Sequence, residues 1–84
     1  LSSRQTGIQK TGNNERNIIE YIVCCVSEFA ERHQLSHKQS YAYLRRYLGI
    51  QFLREQYEIE HTFSIDDAVD DLTRICQHNG GQIA

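Results

Sequence analysis

The chain has 84 residues, a formal net charge of −2 and a hydrophobic fraction of 39%. A chain of this length forms one small domain and buries about 60–65% of the surface that its unfolded form exposes, which leaves little stability for a strained active site. The longest apolar run, Tyr21 to Val26, is far shorter than the roughly 20 residues that a membrane span needs. Three cysteines, two of them adjacent, argue against a disulfide framework, so we predict a reduced, cytoplasmic protein without a membrane segment.

Residues 1–13 are rich in Ser, Thr, Gln and Gly, and Ile8 is their only apolar residue after Leu1. Such a segment has too little apolar surface to join a core. We therefore predict a flexible polar tail over residues 1–13, followed by a single helical domain over residues 14–84.

The first helix is predicted from apolar residues at spacings of three and four. They form two adjoining stripes: Ile18, Ile22, Cys25, Phe29 and His33 in the first, and Ile19, Val23, Val26 and Ala30 in the second. This face is wider than one neighbouring helix needs. Helix 1 is therefore expected to be the central helix of a small bundle or one side of a homodimer interface.

A second helix is predicted after Ser36, because Ser36 and Gln39 have the spacing of a capping box. Gly49 is expected to end this helix in the left-handed conformation that glycine adopts readily. The residues expected on its inward face are Tyr41, Leu44 and Leu48.

A short third helix follows from the spacing of Ile50, Leu53 and Tyr57, whereas Glu58 to Phe63 match no regular pattern. Ser64 then caps a fourth helix, which ends at Asn79 and Gly80. Its apolar stripe is Ile65, Ala68 or Val69, Leu72, Ile75 and Cys76. With no proline and no hairpin signal, the chain is predicted to be all-α, a small bundle of three to four helices with a flexible polar N-terminal tail.

Acidic residues concentrate in the second half of the chain. Residues 49–84 carry seven acidic and two basic residues, whereas residues 1–48 carry four acidic and seven basic residues. The fourth helix contains four of the acids, Asp66, Asp67, Asp70 and Asp71. A cluster without basic neighbours repels nucleic acid and attracts a basic protein surface, so we predict that these aspartates bind a protein partner. The alternative is that they are only a solvated helix face.

The cysteines and histidines form no recognisable site. No Cys-x-x-Cys or His-x-x-x-His pair lies on one continuous predicted element, since His33 and His37 are separated by the break before the second helix. Cys25 and Cys76 fit as small buried apolar residues. We predict a non-enzymatic protein with no catalytic residue, no cofactor and no metal.

Tyr57, His61 and Thr62 precede the fourth helix and mark a junction of functional or structural importance. A histidine at such a junction either reads a ligand or takes part in catalysis, or it bonds to the backbone and sets the direction in which the chain enters the helix. The structural role is the commoner one, and it is favoured here.

The helices on either side of Gly49 also match a helix-turn-helix arrangement. In that interpretation the second helix would enter a DNA groove with Arg54 as its single cation, beside Glu55 and Glu58. Because DNA binding needs cations that neutralise phosphates, a simple αα-hairpin is favoured. A DNA-binding regulator remains the alternative, and the cations it would use are Lys38, Arg45 and Arg46.

The span from Ile18 to Gly80 resembles a family of short bacterial proteins that is catalogued only as a domain of unknown function. The resemblance is strongest at Tyr57-Glu58-Ile59-Glu60-His61-Thr62, followed by Ser64 and the acidic amphipathic helix. It implies a gene next to that of a small ADP-ribosyltransferase-like protein, with this chain as the accessory or antitoxin-like member. No catalytic residue carries over. We therefore expect a cytoplasmic domain that binds another protein, with a basic toxin-like enzyme as the preferred partner.

Overall fold

The computed structural model describes the backbone of residues 2–83 and the side chains of residues 15–83. Over this part of the chain there are five helices: α1 Ser2–His33, α2 His37–Arg46, α3 Gly49–Glu55, α4 Tyr57–Glu60 and α5 Ile65–His78. The described residues contain no strand, and the predicted all-α fold is confirmed. The structure thus has one helix more than the three to four predicted, and the additional helix is α4, a single turn. The predicted tail, residues 1–13, lies outside the residues whose side chains are described.

The break between α1 and α2 is built from local signals. Gln34 has a positive φ of 58°, and the N–H of Leu35 donates to the carbonyl of Ala30 at 2.8 Å, which closes the end of α1. The predicted capping box is present, because the N–H of Gln39 donates to Ser36 Oγ at 3.0 Å and Gln39 Oε1 accepts from the N–H of Ser36 at 2.9 Å. These bonds satisfy backbone groups that the ends of the helices leave open.

The turn between α2 and α3 differs from the prediction. Leu48, not Gly49, adopts the left-handed conformation, with φ of 69°, and Gly49 begins α3 in a buried position. A Cβ at residue 49 would lie 3.0 Å from Leu44 Cδ2 and 3.2 Å from Cys76 Sγ. The close approach of α2 and α5 therefore favours glycine at this position, which the sequence does not show.

Both ends of α5 follow the predicted signals. The N–H of Asp67 donates to Ser64 Oγ at 3.1 Å, and Gly80 after the helix has a φ of 102°. Asn79 Nδ2 also donates to the carbonyl of Tyr47 at 3.1 Å, which ties the end of α5 to the end of α2. Among residues 2–83, no helix combines the length and the hydropathy that crossing a membrane requires.

The core lies where α1 meets α2, α3 and α5. Its buried apolar side chains are Ile22, Cys25, Val26, Phe29, Ala30, Leu44, Leu53, Ala68, Val69, Leu72 and Cys76. The predicted stripes of α1 and α5 are thus confirmed at their centres. In α2, however, the predicted inward residues Tyr41 and Leu48 are exposed. The reason is that Ser40 and Leu44, four residues apart, face α1, and Ser40 Oγ donates to the carbonyl of Val26 at 2.8 Å.

Candidate functional site

The aspartates of α5 lie on the protein surface, but they have basic neighbours. Arg32, at the end of α1, forms ion pairs with Asp66 and Asp70, and its Nη2 also donates to the carbonyl of Asp66 at 3.2 Å. Arg74 pairs with Asp71 one turn along α5. The expectation that the aspartates lack basic neighbours is therefore wrong. Arg32 is 34 residues before Asp66 in the sequence, so only the fold brings them together.

Phe63 and the aspartates surround a shallow pocket of about 300 Å³. Its lining residues are Phe63, Asp67, Asp70, Asp71 and Arg74. Phe63 is 44% exposed, and Asp67 makes no ion pair with any other residue from 15 to 83. Four carboxylates against two guanidinium groups leave two negative charges. We call Phe63, Asp66, Asp67, Asp70 and Asp71 the acidic surface.

An aromatic ring and carboxylates around one pocket suit a Lys or Arg side chain, which interacts with both. Arg32 and Arg74 hold carboxylates of the acidic surface in place, so little side-chain freedom is lost when a cation binds. Such an arrangement suits recognition of positive charge. None of its residues has the paired base and nucleophile that covalent catalysis requires.

Glu60 is a buried carboxyl group that the sequence did not reveal. It is only 5% exposed, and its Oε1 has no hydrogen-bond partner among the described residues. Burial, together with the neighbouring carboxylate of Asp71, raises its pKa from an ordinary 4.5 to about 7. Glu60 is therefore largely protonated below pH 7 and largely ionised above it. The only sequence signal was a glutamate in a segment with no clear pattern.

The junction before α5 is closed by its own turn. The rings of Tyr57 and His61 stack with centroids 4.4 Å apart, and His61 Nδ1 lies 2.6 Å from the carbonyl of Tyr57. Thr62 Oγ1 donates to the carbonyl of Ile59 at 2.6 Å. These bonds cap the end of α4, and their geometry agrees with the structural role favoured for His61.

The α3 helix offers few groups for DNA. Arg54, the single cation of the supposed reading helix, pairs with Glu15 at 2.9 Å, and Gln51 Nε2 donates to Glu55 at 2.8 Å. Both contacts occupy side chains that base recognition would need. The α3 helix has only seven residues. The geometry therefore does not favour α3 as a DNA-reading helix, whereas Lys38, Arg45 and Arg46, the cations of the DNA-binding alternative, are exposed on α2.

A second surface feature is a groove of about 550 Å³ between α1, α2 and α3, which we call the apolar groove. Its lining residues are Ile19, Ile22, Val23, Val26, Ser27, His37, Lys38, Tyr41, Ile50 and Arg54. Ile19 and Val23, predicted on the second stripe of helix 1, are exposed here because no helix of residues 15–83 covers them. Periodicity identified them as apolar-face residues but did not show that they remain uncovered.

Cys25 and Cys76 fit the predicted role of small buried apolar residues. Cys25 and Cys76 are fully buried, and burial raises the pKa of Cys25 to about 12 and that of Cys76 to about 11. A neutral thiol is a poor nucleophile and a poor metal ligand. Within the described part of the chain, no three His, Cys, Asp or Glu side chains lie close enough together to hold a metal ion.

These features define a small helical domain with an acidic surface and a separate apolar groove. The sequence model of the DUF3791 family, described as a protein of unknown function, matches residues 20–79. The chain belongs to this family, which confirms the resemblance to a domain of unknown function. The match includes the whole acidic surface and all of the groove except Ile19. No curated protein and no solved structure matches the chain.

Proposed function

We propose that this chain is a non-enzymatic protein-interaction domain whose acidic surface docks a basic partner protein. The observation that carries the proposal is the exposed ring of Phe63 beside a pocket lined by Asp67 and Asp70. Aromatic residues, Phe among them, are enriched at the centre of protein interfaces. The aspartates attract and orient the basic partner as it approaches, and the ring of Phe63 supplies apolar contact.

The resemblance described above supplies the class of partner. An ADP-ribosyltransferase-like toxin is the preferred one, and this chain would act beside it in the cytoplasm as the accessory or antitoxin-like member. A basic patch on that enzyme would meet Asp66 and Asp67, the aspartates least committed to contacts within the domain. Exposed charges at the rim of such an interface act mainly on the association rate.

The test begins with capture of the partner from the native host and continues with association kinetics. Asp67→Asn and Phe63→Ala are compared with Glu20→Gln, a control that removes one exposed carboxylate from α1. We expect Asp67→Asn to slow association and to weaken its dependence on salt, because steering by exposed charge is screened within a Debye length of about 14 Å at 50 mM salt. Phe63→Ala is expected to speed dissociation.

Kinetics identical to those of Glu20→Gln would count against the acidic surface as the docking site. A gel-shift assay with duplex DNA at low and moderate salt is the second arm. Tight, salt-sensitive DNA binding that is lost when Lys38, Arg45 and Arg46 are replaced would favour the DNA-binding regulator instead.

A further inference from the structure

The apolar groove presents more uncovered apolar surface than a single exposed side chain does. Ile19 is 46% exposed, Val23 57% and Tyr41 44%, and all three line the same cavity. Ile19 and Val23 are four residues apart on α1 and so lie one above the other. Contiguous apolar surface of this kind marks an interaction site. We propose that the apolar groove binds an acidic amphipathic helix of a partner protein.

The charges around the groove determine which charge its occupant should carry. His37, Lys38 and Arg54 line it, and no Asp or Glu among residues 15–83 does. Lys38 forms no ion pair with any described side chain, whereas Arg54 pairs with Glu15 while 47% of its side chain stays exposed. Because a basic rim attracts carboxylates and repels other cations, flanking acidic residues on the occupant are favoured.

The shape and chemistry of the groove favour a helix over an extended strand. The walls of the groove belong to three helices, so apart from the N–H groups in the first turns of α2 and α3 their backbone groups are bonded within each helix. An extended peptide would find no sheet edge among the described residues to satisfy its own backbone groups. A helix satisfies its backbone internally and needs only apolar anchors at spacings of three and four.

A second copy of this chain fits the groove less well. A twofold symmetric interface centred on the groove places Lys38 and Arg54 near the same residues of the other copy. Like charges brought together on desolvation oppose association. A homodimer through helix 1, which the wide apolar face of that helix suggested, is therefore an outcome that the test must separate from the proposal.

The inference does not rest on the proposed docking of a basic protein, because the groove shares no residue with the acidic surface. The two surfaces also have opposite charge preferences. Replacing Asp67 is expected to leave the groove unaffected, and replacing Val23 is expected to leave the acidic surface unaffected. Either proposal can therefore be contradicted by experiment without contradicting the other.

The test uses two hydrocarbon-stapled helical peptides of about 15 residues, or about four turns. Both carry the same leucine stripe at spacings of three and four, flanked in one peptide by Glu and in the other by Lys. Affinity is measured by fluorescence anisotropy at 50 mM salt, and the site is located from backbone amide shifts in NMR spectra of the full chain. We expect the Glu peptide to bind at least about tenfold more tightly than the Lys peptide and to shift the signals of Ile19, Val23 and Tyr41.

Val23→Asn and Ile59→Asn form a matched pair, since both residues are 57% exposed and Ile59 does not line the groove. We expect Val23→Asn to weaken the Glu peptide about tenfold and Ile59→Asn to leave it unchanged. Lys38→Glu is expected to reduce or reverse the preference for the Glu peptide. Thermal melting of each variant confirms that it is folded.

Binding of neither peptide, equal binding of both, or a preference for the Lys peptide would overturn the proposal. So would shifts confined to other surfaces, or binding that Val23→Asn does not weaken. Sedimentation without peptide tests the competing occupant. A concentration-dependent dimer that is lost in Val23→Asn would assign the groove to a second copy and would also overturn the proposal.

Discussion

The buried carboxyl of Glu60 is expected to make the protein less stable as pH rises. Its folded pKa of about 7 lies above its ordinary value of 4.5, so between these values the native state binds more protons than the unfolded state does. The free energy of unfolding therefore falls with increasing pH across this window, and the stabilisation is fully present only below pH 4.5. From the two pKa values, the loss between pH 5 and pH 8 is about 2–3 kcal/mol.

Glu60→Gln tests this expectation. The amide has nearly the same shape as the protonated carboxyl group and does not ionise. At pH 8 the variant should be more stable than the wild type by about 2–3 kcal/mol, which for a domain of this size is roughly 10–20 °C in Tm. At pH 5 the two proteins should differ much less. The assay is thermal and urea unfolding, followed by circular dichroism, at intervals from pH 5 to pH 8.

Comparison of the two proteins isolates Glu60 from other titrating groups. The pKa of His33 is lowered by burial, and by Arg32 beside it, so His33 alone makes stability rise with pH up to its ordinary value of 6.5. That contribution is the same in the wild type and in Glu60→Gln and cancels in the difference. If the free energies of unfolding of the two proteins changed with pH in the same way, the raised pKa of a buried Glu60 would be refuted.

Three further predictions concern packing. Leu72→Ala should lower the free energy of unfolding by about 2–5 kcal/mol in urea titrations, because its fully buried side chain leaves a cavity; an unchanged midpoint would mean that it is not in the core. Ser40→Ala should cost about 0.5–1.5 kcal/mol in the same assay, since it removes the hydrogen bond to Val26, and a larger loss would point to repacking of α2 against α1. Gly49→Ala should lower Tm at a cost of about 1–3 kcal/mol, because its Cβ would press on Leu44 at 3.0 Å, and a variant as stable as the wild type would contradict this close approach.

Features set by neighbouring residues were predictable from the sequence. The Ser36 capping box and the Ser64 cap depend on residues three positions apart, and both form as expected. The buried centres of α1 and α5 follow from a regular apolar spacing sustained over several turns, as at Ile22 and Leu72. Such patterns need no knowledge of the rest of the fold.

Features set by distant contacts were not predictable. Local preference predicts Gly49 as the left-handed residue at the end of α2, whereas Gly49 lies inside α3, where packing against Leu44 and Cys76 favours a glycine, and Leu48 has the positive φ. Glu60 lies in a helix of four residues, too short to show any period. The pairing of Arg32 with Asp70 spans 38 residues, and no pattern in the sequence connects them.

The structure divides the four aspartates, which looked equivalent in the sequence, into two groups. The side chain of Asp71 is 23% exposed, pairs with Arg74 and lies beside Glu60, so its replacement would disturb the fold as well as the surface. Asp66 is 75% exposed and Asp67 makes no ion pair among residues 15–83, so both can lose charge with little effect on packing. A partner that recognises negative charge should therefore be tested against Asp66 and Asp67. The same substitution at Asp71 would mix the loss of docking with a change in stability, because it removes the ion pair with Arg74 and the negative charge that helps to raise the pKa of Glu60.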